Sequence, residues 1–312
     1  MSITSLINAL PGACAQGIVW GIMAIGVYIT YKVLDIADLT VDGTMATGGA
    51  VCVIMMTNGY SVWVALLCAF AAGLLAGLVT GIFHTLMGIP VILAGILTQL
   101  GLYSVNLRIL GIGTKAGTAS NLTISVDKYN LLLSLRNVRE LSLRNPIFVA
   151  LIFLAVLIAV TYCFFGTELG CALRATGANP GMSRANGINT NFNKVLGLMI
   201  SNGIVALSSA LFSQYQGFAD VNMGRGAIVI GLAAVIIGEV LFGKLRLFTN
   251  FAMKLLAVAI GAIIYYLVIQ VVLWLGLNTS DLKLLSAIIV AIFLAIPYWK
   301  NRIAASRTKG GN

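Results

Sequence analysis

The run PIFVALIFLAVLIAVTYCFFG, residues 146–166, decides the fold class of this chain. It carries no charged side chain, and its length matches the roughly 20 apolar residues that a helix needs to cross a bilayer. Its apolar residues are continuous rather than alternating, so the run lacks the pattern of a β-barrel strand. The whole chain shares this character, because 60% of its 312 residues are hydrophobic and only 9% are charged. A soluble domain carries about 25% charged residues, so we predict an all-α integral membrane protein.

Similar apolar runs continue outward on both sides of this segment. We predict nine transmembrane helices, at 13–33, 43–58, 61–83, 89–110, 146–166, 194–216, 224–243, 250–276 and 283–299. Together they form a single transmembrane domain over residues 1–312. Its two long connections are a loop at 111–145 and a connector at 167–194.

Basic residues predict the orientation, since lysine and arginine are concentrated in cytoplasmic loops. The connector 167–194, the turn 244–254 and the tail after 299 are basic, and an even number of spans separates each from the next. We therefore place these segments and the C-terminus in the cytoplasm, and nine spans then place the N-terminus outside. The loop 111–145 falls outside, although it carries Lys115, Lys128, Arg136, Arg139 and Arg144. Long loops tolerate such exceptions better than short ones.

The net charge of +10 is explained by a membrane rather than by a nucleic acid. The basic residues lie in connectors and near the C-terminal end, where anionic lipid headgroups are the expected partner. The five cysteines and the single His84 show no metal-ligand spacing, so we expect no metal site. No nucleophile–base pair or carboxylate dyad indicates an intramembrane enzyme, so we expect no catalytic residues.

Glycine stripes predict where helices pack closely. Gly73, Gly77 and Gly81 repeat at a spacing of four, and Gly17 and Gly21 do the same. Small residues at this spacing let two helices approach in lipid, where packing drives association. We expect a helix contact at each stripe, with a hinge as the alternative.

Two distant segments resemble one another. IADLTVDGTMATGGAV, 36–51, aligns without gaps with FADVNMGRGAIVIGLA, 218–233, so that Asp38 falls on Asp220 and Gly49 on Gly231. In the predicted topology the first segment begins at the inner face and the second at the outer face. That arrangement predicts an inverted repeat, which is common in transporters whose pathway follows the repeat interface.

Each of these segments begins with polar residues and passes directly into a glycine-rich span. Asp38, Asp42 and Thr44 lie at the first start, and Asp220 and Asn222 lie at the second. Carboxylates are costly in hydrocarbon unless they face water or a partner. They either cap the helix starts, because such side chains satisfy free N–H groups there, or line a polar translocation path. Both interpretations stay open at this point.

Glu239 is the acidic residue that falls within an apolar run, LAAVIIGEVLFG, close to the predicted cytoplasmic end of the seventh span. One interpretation is a carboxylate that pairs with Lys244 and Arg246, a few residues further on. The other is an inner gate or a proton site. Polar residues that suit a pathway lining also occur inside the spans: Gln99, Tyr103, Asn106, Asn202, Ser208, Ser209 and Gln214.

The connector TELGCALRATGANPGMSRANGINTNFNK, 167–194, has an unusual composition for a loop. Asn179-Pro180 predicts a helix start with proline at the first helical position, and the helix should end near Gly187. Such a short helix, rich in Ala, Gly and Asn, has little apolar surface of its own. We expect it to lie along the cytoplasmic face and to dock into a groove on a soluble partner.

These residues resemble a known family. ELGCALRATGANPGMSRANGIN is similar to the coupling-helix region of bacterial ABC importer permeases of the branched-chain amino acid and ribose type. LAAVIIGEVLFGKLR and the run ending in DIADLTVDGTMATGGAV resemble a later span and an early motif of the same permeases. The resemblance covers about residues 13–299. Within the family, the chain most resembles a subgroup often found beside binding proteins for aromatic amino acids.

The resemblance implies a permease subunit of an ATP-binding-cassette importer in the bacterial plasma membrane. Two copies would form the pore, with two cytoplasmic ATPase subunits below and an extracytoplasmic substrate-binding protein above. The chain has no GxxxxGK[ST] loop, so ATP would bind to the partner and no cofactor to this chain. The family's ATPase-coupling role would fall on Glu168, Arg174, Gly177, Asn179, Pro180, Arg184, Gly187 and Ile188. Cys171 and Glu239 depart from the family pattern.

The translocation path or gate would then involve Asp38, Asp42, Thr44, Gln99, Asn202, Asn222 and Glu239. The solute would be an amino acid or a similar small polar molecule, with sugars and nucleosides as open alternatives. The basic loop 111–145 could contact the binding protein. A self-contained secondary transporter or channel is the main alternative, although it would leave the connector 167–194 without a purpose.

Overall fold

The computed structural model describes residues 3–114, 117–124, 129, 131–139, 145–243 and 250–276, together with a few positions between 284 and 295. The chain is built mainly from α-helices. In chain order they are α1 Ile3–Tyr28, α2 Thr40–Thr57, α3 Val62–Thr85, α4 Val91–Thr114, α5 Pro146–Gly166, α6 Glu168–Ala178, α7 Pro180–Ala185, α8 Thr190–Gln216, α9 Ala227–Phe242 and α10 Phe251–Trp274. A π-helical turn, Ile29–Val33, extends α1, and a 3-10 turn covers Leu135–Arg139.

Each of the first eight predicted spans coincides with a helix, and the mainly helical character of the fold is confirmed. Among the described residues, six helices are long and apolar enough to cross a membrane, namely α1 with its π-helical turn, α3, α4, α5, α8 and α10. Helix α9 is apolar but has only 16 residues, and α2 begins with the polar residues Thr40, Asp42 and Thr44. The ninth predicted span, 283–299, lies largely outside the described residues.

The centre of the bundle is formed by α1 and α8. Within their spans, 83% and 72% of the residues are buried, against 22% in α4 and 17% in α5. Trp20 on α1 packs edge-to-face on Phe212 of α8, with ring centroids 5.5 Å apart. Helices α4 and α5 therefore lie at the periphery, where their exposed faces meet lipid or another chain.

Both predicted glycine stripes are helix contacts. Gly73 and Gly77 lie against the backbone of α8 at Asn202 and Leu198, so closely that a Cβ atom would collide with it. Gly17 and Gly21 lie against α10 in the same way. The stripes therefore fix α3 on α8 and α1 on α10 by close backbone approach.

The loop between α4 and α5 folds back onto the bundle. Its strand β1, Asn121–Thr123, pairs in antiparallel with β2, Phe218–Asp220, so that Asn121 lies opposite Asp220. Leu133 is fully buried, and the N–H of Leu132 donates to Oε1 of Gln214 at 3.2 Å. Gln214 was a candidate for the pathway lining, but it is buried and holds this loop in place instead.

Candidate functional site

The start of α2 is held by a buried network around Asp38. Oδ1 of Asp38 accepts from the N–H of Thr40 at 2.9 Å and so satisfies the free N–H group of the first helical residue. Oδ2 accepts from Nδ2 of Asn202 at 2.7 Å, and the hydroxyl of Thr44 donates to Oδ1 of Asn202 at 2.7 Å. All of these side chains are buried. For Asp38, the geometry matches the capping interpretation.

Threonine hydroxyls extend this network toward α3 and α4. The hydroxyls of Thr40 and Thr80 lie 2.7 Å apart, and that of Thr80 donates to Thr98 at 2.9 Å. Three helices thus share their polar groups in a buried interior, where an unpaired group would be costly. Thr44 and Asn202 were predicted as path residues, but they sit inside these helix contacts and line neither of the two cavities described below.

Asp42 connects the starts of two helices that are far apart in the chain. It lies in the first turn of α2, and its Oδ1 accepts from the N–H of Ile228 at 3.0 Å. Its Oδ2 accepts from the N–H of Gly226 at 3.0 Å. A carboxylate in this place satisfies free N–H groups at the start of α9 and is stabilised by that helix dipole. The charge of Asp42 is therefore balanced by α9.

The turn before α9 repeats the local structure that precedes α2. Oδ1 of Asp220 accepts from the N–H of Asn222 at 2.6 Å, as Asp38 does from Thr40. The Asp220 carboxylate is thus a local turn-forming group. Asn222, a predicted path residue, is exposed and lies on this turn.

A cavity of about 370 Å³ lies between α2, α4 and the turn 221–226. Two predicted path residues, Asp42 and Gln99, line it together with Tyr103, Asn106 and Arg225. Its size falls in the range of small-molecule sites. The cavity therefore brings together residues from three segments that are distant in the sequence.

One side chain of this cavity has an unused polar atom. Asn106 is 1% exposed, and its Nδ2 donates to the carbonyl of Gly43 at 3.4 Å. Its Oδ1 has no hydrogen-bond partner among the described residues. A buried acceptor without a partner is rare in folded proteins, so we expect a ligand or a water to donate the missing hydrogen bond.

Helix α4 contributes more of this lining than any other segment, and it is also the least suited to lipid. Among the six candidate spans, α4 has the lowest mean hydropathy, 1.3, whereas α5 has 2.9. The exposed side chains of α4 include Ser104 and Arg108, while α5 contains no charged residue. A charged residue within a span is costly unless it faces a polar cavity or a partner.

A second cavity, of about 720 Å³, opens at the opposite end of α9. Glu239 lines it and forms an ion pair with Lys32 on the π-helical turn, with Nζ and Oε1 2.8 Å apart. Both side chains are about half exposed. The partner expected from the sequence was Lys244 or Arg246, which lie outside the described residues. Lys32 was missed because 207 residues separate it from Glu239.

The connector 167–194 folds as two short helices. Asn179 caps α7 by accepting from the N–H of Met182 at 3.0 Å, and Pro180 is the first helical residue, as predicted. Helix α7 ends at Ala185, and Gly187 follows in the left-handed region, with φ 78°. Helix α6 was not predicted, because ELGCALRATGA has no long apolar face; Thr167 caps its start.

Helix α6 is fastened to the transmembrane bundle. Gly177 touches the carbonyl of Val33 so closely that a Cβ atom would collide with it. Nδ2 of Asn193 donates to the hydroxyl of Thr176 at 3.0 Å, and Leu173 is fully buried. A movement of α6 would therefore reach the end of α1 and the start of α8.

The predicted coupling residues divide into two groups. Glu168, Asn179, Pro180 and Gly187 are exposed, whereas Gly177 and Ile188 are half-buried. The two arginines are exposed but have partners within the chain. Nε of Arg184 donates to the hydroxyl of Thr190 at 2.8 Å, and Arg174 lies over the ring of Phe251 at 5.8 Å.

The coupling residues predicted from the sequence did not include Met182, which lies on the surface of α7 in the structure. Met182, at 65% exposure, is the largest apolar side chain that projects from α7. The only sequence signal for it was its position on the predicted short helix. An exposed, flexible thioether suits a contact with another protein.

Cations gather at this end of the bundle. Lys32, Arg174 and Lys254 line the larger cavity, and Nζ of Lys194 lies 3.3 Å from Nε2 of His84 at the end of α3. Among the described residues, no group of three His, Cys, Asp or Glu side chains could hold a metal ion. This face is therefore basic, and it suits contact with an acidic protein surface or with anionic lipid headgroups.

Six described helices that are long and apolar enough to cross a bilayer, packed around buried polar networks, are the architecture of a multi-span membrane protein. The chain belongs to the family described as branched-chain amino acid transport system, permease component, which it matches over residues 11–297. It is thus the permease component of an ABC importer.

Relatives extend over nearly the whole chain. The chain is 42% identical over 288 residues to a tyrosine transport system permease protein of Clostridioides difficile strain R20291, which covers 92% of this chain and 91% of the relative. It is 34% identical over 290 residues to an uncharacterised protein of Rickettsia prowazekii strain Madrid E, which covers 92% and 97%. A fructose import permease protein of Bifidobacterium longum is 26% identical over 262 residues, covering 82% and 68%. No solved structure matches the chain.

Proposed function

We propose that two copies of this chain form the solute pathway of the importer, with α4 of each copy facing the pathway, and that the solute is an aromatic amino acid such as tyrosine. The tyrosine transport permease among the relatives supports this choice of solute. The observation that carries the pathway is that α4 exposes two polar side chains, Ser104 and Arg108, among its apolar ones. Arg108 is costly in lipid unless it faces a polar space or a partner, whereas α5 contains no charged residue.

The orientation is part of the proposal. The end of the bundle with Lys32, Arg174, Arg184, Lys194 and Lys254 is cytoplasmic, because cations concentrate on that side of a membrane. Helix α1 runs toward this end, so the N-terminus lies outside. The C-terminus, with Lys300, Arg302, Arg307 and Lys309, falls outside the described residues and is expected in the cytoplasm.

We also propose that the chain has nine spans and contains an inverted repeat. Asp38 and Asp220 make the same turn to the residue two positions further on. The two helix starts also meet, because Asp42 in the first turn of α2 accepts from the N–H groups of Gly226 and Ile228 at the start of α9. This contact supports an inverted pair of helix starts at the pathway.

Coupling to ATP hydrolysis would run through α6 and α7. The exposed tip, with Met182, Asn179 and Gly187, docks on a separate ATPase subunit. The contact between Gly177 and Val33 then transmits movement to the π-helical turn, which carries Lys32. In this proposal the ion pair between Lys32 and Glu239 holds the inner end of the pathway closed and separates when α1 and α9 move apart.

A substrate-binding protein would dock on the opposite face. The 3-10 turn Leu135–Arg139 belongs to the loop that β1 fastens to the bundle, and Arg136 is exposed there. Arg139 and Arg144 belong to the same basic segment of the sequence, and Arg144 lies outside the described residues. A basic surface of this kind suits an acidic protein surface.

Co-purification tests the proposal. The tagged chain is solubilised gently from its native membrane, and the eluate is assayed for ATP hydrolysis and, after reconstitution, for uptake of labelled L-tyrosine. We expect an ATPase to co-purify and to be lost with Met182→Asp, since a charge then replaces the apolar tip. Met87→Asp is the matched control, because Met87 is also exposed, at 63%, but lies on the α3–α4 turn.

The alternative has a distinct signature. An eluate without ATPase, together with uptake that an ionophore abolishes, would assign the chain to a self-contained secondary transporter. ATP-dependent uptake of a sugar in place of tyrosine would leave the importer in place and overturn the choice of solute.

A further inference from the structure

We infer that the 370 Å³ cavity between α2, α4 and the turn 221–226 is a solute-binding site of the permease itself, built for the zwitterion of an aromatic α-amino acid. This inference rests on the proposed function and deepens it. It assigns to the permease a selectivity that would otherwise belong to the binding protein alone. Three observations support it: the charges, the unused acceptor and the apolar side of the cavity.

Two charged residues that line the cavity, Asp42 and Arg225, differ in whether their charge already has a partner. Asp42 lines it, but two backbone N–H groups at the start of α9 already bind its carboxylate. Arg225 also lines it and is exposed, and among the described residues no carboxylate lies within ion-pair distance of its guanidinium. The cavity therefore offers a solute one uncompensated cation, which suits a carboxylate group because the guanidinium can donate two parallel hydrogen bonds.

The unused acceptor supplies the second recognition element. Oδ1 of Asn106 is buried without a partner and belongs to a residue that lines the cavity. An ammonium group donates three hydrogen bonds and accepts none, so it can donate one of them to this acceptor. A solute that carries both an ammonium and a carboxylate satisfies Asn106 and Arg225 at once.

The remaining wall is apolar and aromatic. Leu100 and Tyr103 line the cavity with 64% and 43% of their surface exposed, and Val221 lines it as a buried residue. An aromatic ring could pack on the Tyr103 ring in an offset or edge-to-face arrangement, and it would cover apolar surface that is otherwise open. This side of the cavity favours an aromatic side chain over a short polar one.

Photolabelling of the full-length chain in lipid nanodiscs tests the inference without an ATPase or a binding protein. The probe is 4-azido-L-phenylalanine, and labelled peptides are identified by mass spectrometry. We expect label in residues 91–108 or 218–226, and competition by L-tyrosine. Tyramine lacks the carboxylate and 3-(4-hydroxyphenyl)propionate lacks the ammonium, so each should compete about tenfold more weakly, as expected for one lost charge-assisted contact.

Variants assign these contacts to residues. Arg225→Gln should remove the preference for L-tyrosine over tyramine, and Arg225→Lys should largely keep it, because a charge remains. Asn106→Leu should remove the preference for L-tyrosine over 3-(4-hydroxyphenyl)propionate. Arg184→Gln is the matched control, since Arg184 is an exposed arginine of the connector 167–194 that lines neither cavity.

The results separate this inference from the proposed function. Absent or scattered label, equal competition by all three compounds, or an Arg225→Gln variant that behaves like the wild type would overturn the site. Because Arg225 is exposed, its variants should fold even if Asn106→Leu does not. Specific labelling of a chain that purifies without any ATPase would keep the site and refute the importer assembly.

Discussion

Replacing Asn202 by leucine should destabilise the protein by about 2–4 kcal/mol. Asn202 is fully buried and donates to Oδ2 of Asp38 at 2.7 Å and to the carbonyl of Leu198 at 3.0 Å. Leucine has a similar volume but no donor, so a buried carboxylate oxygen loses its partner. A hydrogen bond to a charged group contributes about 1.5–3 kcal/mol, and leaving one partner buried adds to the loss. Thr44 loses its bond to Asn202 but keeps its bond to the carbonyl of Thr40, so its share is small.

The assay is equilibrium unfolding of the purified chain in mixed micelles, followed by tryptophan fluorescence as the denaturing detergent is increased. Asn222→Leu is the matched control, because Asn222 is exposed and its change should stay within about 0.5 kcal/mol. Asp38→Ala, alone and combined with Asn202→Leu, completes a double-mutant cycle. We expect the combined loss to be at least about 1 kcal/mol smaller than the sum of the single losses.

Additive losses would refute this reasoning. If the two changes sum within about 0.5 kcal/mol, Asn202 and Asp38 do not interact in the folded protein. The buried network would then not be what holds the start of α2 against α8.

Three further changes test other contacts. Lys32→Glu should cost at most about 1 kcal/mol in the same unfolding assay, since the ion pair with Glu239 is half exposed. The double variant Lys32→Glu with Glu239→Lys should recover this loss. A loss of several kcal/mol would contradict the half-exposed geometry of the pair. Gly77→Ala should cost about 1–3 kcal/mol because its methyl would overlap the backbone of α8, whereas Gly101→Ala, where a Cβ meets nothing within 4 Å, should not destabilise; equal effects would contradict the stripe contact. Asn179→Ala should destabilise α7 by about 1 kcal/mol and lower the ATPase activity of the co-purified complex, because the helix loses its N-cap. Asn179→Asp should restore the activity. An unchanged activity of Asn179→Ala would show that this cap is not needed for coupling.

The positions of the helices were predictable because hydropathy acts locally. An uncharged run of about 20 residues has few alternatives to a transmembrane helix. The glycine spacing of α3 predicted a close helix contact, and the structure shows that its partner is α8. The start of α7 was readable for the same reason, since Asn179 and Pro180 act on their own turn. Helix α6 was missed because it packs through single residues such as Leu173 rather than along a continuous apolar face.

The candidate site was predicted only in part, because its contacts join distant residues. Asp42 and Gln99 were named and do line one cavity, while Thr44 and Asn202 proved to belong to buried contacts between helices. The partner of Asp42 is a helix start 184 positions away, and no local pattern encodes such a pairing. Sequence reasoning therefore identified which residues are polar inside the membrane, and the tertiary structure decided which of them face a cavity.

The capped start of α2 has a consequence for how the chain is made. Helix α2 leaves the ribosome early, but polar groups at its start pair with Thr80 and Asn202, which are synthesised later. Until α8 has emerged, Asp38 and Thr44 lack their partner Asn202. Helix α2 should therefore reach its final packing only after α8 is in place. An arrest of translation before Asn202 should leave α2 accessible to water.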